Sequence, residues 1–236
     1  MAKYFSLTFN IRTTLVALIL LLTVPYLVQM LGIIFLPKTV SVWRQLSLYQ
    51  WLAAGMVTYA VVYRLLKRMN GSLYRNLQWF ETFTHEFTHT IVAMLLLREV
   101  HTFHAEKSSG VITTSGRTKW LSPLVSLAPY CLPIYTYALL MLRPLLDFHG
   151  LIIYDILIGL TLAFHVVNFK KDTSRHQPDI NQYPLLFSYL YIATALCINL
   201  AVVWVAFFPG YNVFTSFWRL LCAQASNIAA VIGWIF

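Results

Sequence analysis

Residues 77–97 read LQWFETFTHEFTHTIVAMLLL, and this stretch decides what kind of protein the chain is. It is long enough for a helix that crosses a bilayer, for which about 20 residues suffice. Yet its middle carries His85, Glu86 and His89 in the pattern HExxH. On a helix, positions i and i+4 share a face. His85 and His89 can then each offer a ring nitrogen to one zinc ion, at about 2.0–2.1 Å. Glu86 sits one residue round the helix, beside the metal rather than on it. There a carboxylate can take a proton from a zinc-polarised water. Ionisable groups inside a membrane helix are expensive and default to a functional role. The competing reading is structural: the three side chains face a polar crevice and bond to Thr82, Thr84 and Thr88.

The rest of the chain supplies the membrane setting. Of 236 residues, 59% are hydrophobic and only 11% are charged. A soluble domain would be about a quarter charged, so this composition excludes both an ordinary soluble globule and a disordered chain. Seven apolar runs follow one another: Leu15–Phe35, Leu46–Leu66, Leu77–Leu97, Trp120–Leu146, Leu151–Phe169, Pro184–Phe208 and Val213–Phe236. The fourth contains Pro123, Pro129 and Pro133 and should be kinked or broken, which a membrane tolerates where the break lines a buried cavity. The seventh carries Arg219, Gln224 and Asn227 and can lie partly in the interface. The expected fold is therefore all-α: a polytopic bundle of six to seven spans in a single domain over 1–236, with its core at 77–208. The net charge of +9 sits mostly in short loops. It reads as headgroup-level charge facing the lipid bilayer, not as a nucleic-acid surface. The basic residues divide almost evenly between the two sides, so they give no orientation. Cys131, Cys197 and Cys222 lie in apolar stretches without ligand spacing and read as small buried hydrophobes.

Between the third and fourth runs lies VHTFHAEKSSGVITTSGRTKW, residues 100–120. Ser108-Ser109-Gly110 is a turn signal flanked by strand-favouring Val, Thr, Ile and Phe, which predicts a small β-hairpin over an irregular loop. An exposed hairpin edge can pair with an extended peptide. His101, His104 and Gly110 are accordingly the candidate substrate-binding positions.

A catalytic zinc needs a third protein ligand and an open position for water. Few side chains are available. Glu81 precedes His85 by four positions and can orient its imidazole as an outer acceptor. Asp147, Asp155, Asp172, Asp179 and His165 are the remaining candidates for the third ligand.

HEFTH in an apolar helix, a strand-forming hairpin directly after it, and a Pro-broken span beginning SLAPYCLP together resemble the site-2 protease family of membrane zinc metallopeptidases (peptidase family 50). The resemblance is closest to that family's compact bacterial branch and covers Leu77–Tyr183. It implies an aspartate on a later segment as third ligand, often in an LDG-like context. PLLDFHG at Pro144–Gly150 echoes that imperfectly, with two residues inserted before the glycine. The compact branch carries instead a histidine-bearing span followed by a QTDI-like motif, and Gln177-Pro178-Asp179-Ile180 is similar to it. The resemblance thus favours Asp179, with His165 as polar partner or substitute and Asp147 as a further alternative. It implies Zn2+ as cofactor, a transmembrane or juxtamembrane peptide as substrate, and a multi-pass location in a bacterial inner membrane. The other readings are a membrane zinc hydrolase of a different substrate and a non-catalytic scaffold or degenerate relative. Retention of Glu86 speaks against the last, because a purely structural zinc site needs no general base.

Overall fold

The computed structural model describes residues 42–106, 110–115, 121–146, 152–174 and 177–207, with 213–215, 218, 222, 226 and 229 beyond them. The expected first span, most of the seventh, and Asp147 lie outside the described residues. Two long helices open the described part, α1 (Val42–Met69) and α2 (Ser72–Leu95). They are joined by Asn70 and Gly71. Asn70 sits in the left-handed region at φ 45°, which asparagine tolerates better than most residues.

A two-stranded antiparallel hairpin follows, β1 (Glu99–Ala105) and β2 (Gly110–Ser115). The expected hairpin is present, but its register slips between Val100 and Thr102, which leaves His101 as the extra residue of a bulge. The fourth apolar run is broken, as its prolines imply. A short helix α3 (Ser122–Ser126) and a 3-10 turn (Ala128–Tyr130) precede helix α4 (Ile134–Leu146). Then come α5 (Ile152–Asp172), the single-turn α6 (Pro178–Asn181) and α7 (Leu185–Phe207).

Two clusters hold these elements together. Leu52, Leu140, Tyr154, Ile158, Leu162, Val203 and Ala206 join α1, α4, α5 and α7. Leu127, Tyr130, Ile180 and Ile192 pin the broken segment and α6 to α7. The first cluster depends on a close helix crossing. A Cβ on Gly55 would stand 2.2 Å from the Ile156 carbonyl oxygen, and one on Gly159 would stand 2.1 Å from that of Leu52. Small residues that let backbones touch are a typical device of membrane helices. Because the obstacle is backbone, nothing can turn aside. Gly159→Leu is therefore expected to part α1 from α5 and to destabilise the fold by about 3 kcal/mol, the upper end for overpacking. Thermal unfolding of the purified protein in micelles measures this, and an unchanged Tm contradicts it.

Among the described residues, two helical stretches, Ile152–Asp172 and Leu185–Val203, are long and apolar enough to cross a membrane. Helix α2 does not reach that measure because Gln78, Glu81, His85, Glu86 and His89 lower its hydropathy. Helix α1 nonetheless exposes Val57, Val61, Val62 and Leu65, an apolar outer surface.

Candidate metal centre

At 3.6 residues per turn, α2 presents three working faces. Trp79, Phe83 and Glu86 lie on the face that meets the hairpin; Phe83 packs edge-on against Phe103, and the Trp79 Nε1 donates to the Ala105 carbonyl at 3.3 Å. His85 and His89 lie on the next face. Glu81, Thr84 and Thr88 lie beyond, towards α5 and the broken segment. Glu86 and His89 are buried, at 7% and 3% exposure. The threonines do not serve them. Thr82, Thr84, Thr88 and Thr90 each donate to a carbonyl four residues back, on Gln78, Phe80, Thr84 and Glu86. The crevice in which threonines satisfy the motif is therefore not what forms.

The two imidazoles converge on one carboxylate oxygen. His85 Nε2 lies 3.2 Å and His89 Nε2 3.3 Å from Asp179 Oδ2. The ligating atoms of His85, His89 and Asp179 all fall within 4.8 Å of one another. His89 Nδ1 donates to the Val125 carbonyl at 2.7 Å, which fixes the tautomer and leaves Nε2 with its lone pair forward. Asp179 reaches this level because α6 is held from below. Ile180 is fully buried, and its carbonyl accepts from Ser188 Oγ at 2.8 Å. Tyr130 stacks edge-on to His85 and donates to Asp179 Oδ2 at 3.5 Å. Burial pushes the Asp179 carboxyl up, but the bonds and charge of His85 and His89 outweigh it and hold the group well below the usual carboxylate range.

This donor set fits a zinc ion. A tetrahedral ion with bonds of about 2.0–2.1 Å holds its donors about 3.3–3.4 Å apart, close to the two spacings observed. Two nitrogens and one oxygen also match the ligand chemistry of a catalytic zinc with a fourth position open.

The other sequence candidates fall elsewhere. His165 is buried in the middle of α5 and is not in the group. Asp155 is buried near the start of α5, also outside it. His104 is exposed and bonds Glu106 at 3.0 Å, away from the centre. The outer carboxylate requires a correction. Glu81 was expected to orient His85, but its Oε2 accepts from Lys171 Nζ at 2.7 Å. A full ammonium attracts a carboxylate more strongly than a neutral imidazole does. The carboxylate nearest the far side of His85 is Asp172, whose Oδ2 lies 3.8 Å from Nδ1.

Gly110 also has a different setting from the one expected. A Cβ there would meet the Glu86 carboxylate itself, 2.3 Å from Oε1. The first residue of β2 is thus seated on the Glu86 side chain, and only glycine leaves it in place. Gly110→Val is expected to turn Glu86 away. Metal content should stay at its parent level, because both imidazoles and Asp179 are untouched. Any metal-dependent hydrolysis that the site supports should fall by about 100-fold, the lower range for losing a positioned acid–base group. Parallel metal analysis and rate measurement on the variant test this, and a parent-like rate speaks against the seating.

A family model described as Peptidase M50B-like matches residues 52–176. His85, Glu86, His89 and Asp172 lie inside the matched stretch, and Asp179 lies three positions past its end. No curated protein and no solved structure matches the chain.

Proposed function

The chain belongs to the peptidase M50B-like family, membrane metallopeptidases of the site-2 protease type, and on that premise we propose that it is an intramembrane zinc endopeptidase. It cuts peptide bonds in or beside transmembrane segments of other membrane proteins. The observation that carries this reading is the approach of two imidazole nitrogens to one Asp179 oxygen, with Glu86 on the neighbouring flank of the same helix.

In this reading His85, His89 and Asp179 would hold the zinc. When bound, it would supply Lewis-acid chemistry for the scissile carbonyl and acidify a water. Glu86 takes a proton from the attacking water and passes it to the leaving amine. Asp172 stands 3.8 Å from His85 Nδ1, outside hydrogen-bond range, while the ring's other nitrogen faces Asp179. A substrate helix hides its carbonyls in i to i−4 bonds and must be unwound locally. The hairpin, most of whose first strand is exposed, offers backbone partners for the unwound stretch by strand addition. His101, at the bulge, and His104 lie along that strand.

The test is a purified preparation in micelles with a reporter peptide that contains a transmembrane segment. About one zinc per chain and chelator-sensitive cleavage are expected. A folded protein that carries no zinc would leave the scaffold reading standing instead.

A further inference from the structure

Glu81 is a carboxylate placed at a cost. It lies on α2 one turn before His85, is 2% exposed, and accepts from Lys171 Nζ, in the last turn of α5, at 2.7 Å. A buried ion pair is often no more stabilising than an apolar pair of the same volume, because desolvation offsets the attraction. In an apolar helix a carboxylate is more expensive still. What the pair supplies, and two leucines would not, is a short bond between two defined atoms.

The bond stands where geometry counts. An open cleft separates α2 from α5, with Glu81, Thr84 and His85 on one wall and His165, Asn168 and Asp172 on the other. Phe80 and Phe164 also meet between the helices, with ring centres 5.5 Å apart, but an apolar contact of this kind fixes no direction. Beyond Asp172 the chain takes six peptide steps to Pro178, enough to reach about 20 Å when extended. Connectivity alone therefore does not place Asp179. Its turn, α6, is fastened to α7 through Ile180 and Ser188. The distance from Asp179 to the histidines then depends on how α2 stands against the helices that flank α6. Lys171 sets that distance at the α5 end, eight residues before Asp179.

We propose that Lys171 is a positioning residue for the metal centre: through Glu81 it holds the end of α5 against α2, and so brings the Asp179 carboxylate within reach of His85 and His89. This role deepens the zinc reading and rests on it. Removing the ammonium alone would leave Glu81 buried with its charge unpaired, which destabilises a fold whatever the metal does. Glu81→Leu/Lys171→Met removes the bond and both charges together.

The test uses the full chain in micelles. The double variant is expected to keep the parent Tm while its zinc Kd rises about 10–100-fold, the range for losing a support behind a zinc ligand. Lys171→Arg keeps a cation within reach of Glu81 and should bind zinc like the parent, as should Lys170→Met on the same turn. Parent-like zinc affinity in the double variant overturns the role. If the double variant does not fold, Lys171→Gln is compared with Lys171→Arg: equal affinities overturn the role, and binding about tenfold weaker in Lys171→Gln upholds it. A second readout needs no metal, the side-chain 15N shifts of His85 and His89 in zinc-free protein. Asp179→Ala should move them, and the double variant should move them the same way; shifts left at their parent values overturn the role. A parent protein that binds no zinc fails the metal reading, and the histidine shifts then decide the positioning role alone.

Discussion

Glu86→Gln is expected to keep its zinc and lose hydrolysis. The amide occupies the same volume at the same buried position on α2, so Gly110 still seats against it and the hairpin stays docked. His85, His89 and Asp179 are untouched, and metal content should match the parent. What disappears is a base: an amide cannot take the water's proton or deliver it to the leaving amine. General acid–base groups contribute about 10²–10⁴-fold. The upper part of that range is expected, because one residue serves both transfers. Cleavage of a transmembrane reporter, measured beside zinc content on the same preparation, decides it. A variant that cuts at the parent rate would remove Glu86 from the chemistry.

Asp179→Ala should do the reverse and release the metal. Two imidazoles on one helix would remain, with Tyr130 deprived of its acceptor. Losing an outer partner of a zinc ligand typically costs 10–100-fold in metal affinity, and losing the ligand itself should exceed that, leaving purified protein with little zinc. Asp172→Asn, which alters only the neighbour of His85 Nδ1, should stay within the 10–100-fold range. Acid also removes the metal, through the imidazoles. The depressed Asp179 carboxyl stays ionised above its lowered value, so its contribution persists as pH falls past the ordinary carboxylate range. The imidazoles of His85 and His89 bind the ion only when neutral, so protons compete with it as pH falls. Zinc retention measured across about pH 4–8 checks this. Full retention in Asp179→Ala would pass the role of third ligand to another residue.

The sequence made some of this arrangement easy to see and hid the rest. His85, Glu86 and His89 are four residues apart at most, so helix geometry alone relates them. The hairpin was legible from Ser108-Ser109-Gly110 and its β-branched flanks, and the broken fourth run from its prolines. Asp179 stood out only through the similarity of Gln177–Ile180 to a family motif, because its proximity to α2 depends on how α6 is pinned by Ile180 and Ser188. Glu81 was misassigned for the same reason. Spacing along α2 pointed to His85, whereas its partner Lys171 comes from a helix ninety residues away. Nothing in the local sequence around Gly110 indicates that it lies against Glu86. A turn glycine and a glycine that makes room for a carboxylate look identical until the chain is folded.

The placement of the hairpin and of α6 on different flanks of α2 has a consequence for endurance. The three residues proposed to hold the ion and their supports lie on one side, and the strand over Glu86 lies on the other. Under the proposed function, a peptide that enters between the hairpin and α2 would reach Glu86 without displacing Ile180, Ser188 or Tyr130. Traffic through the site would then leave the cofactor's mooring undisturbed.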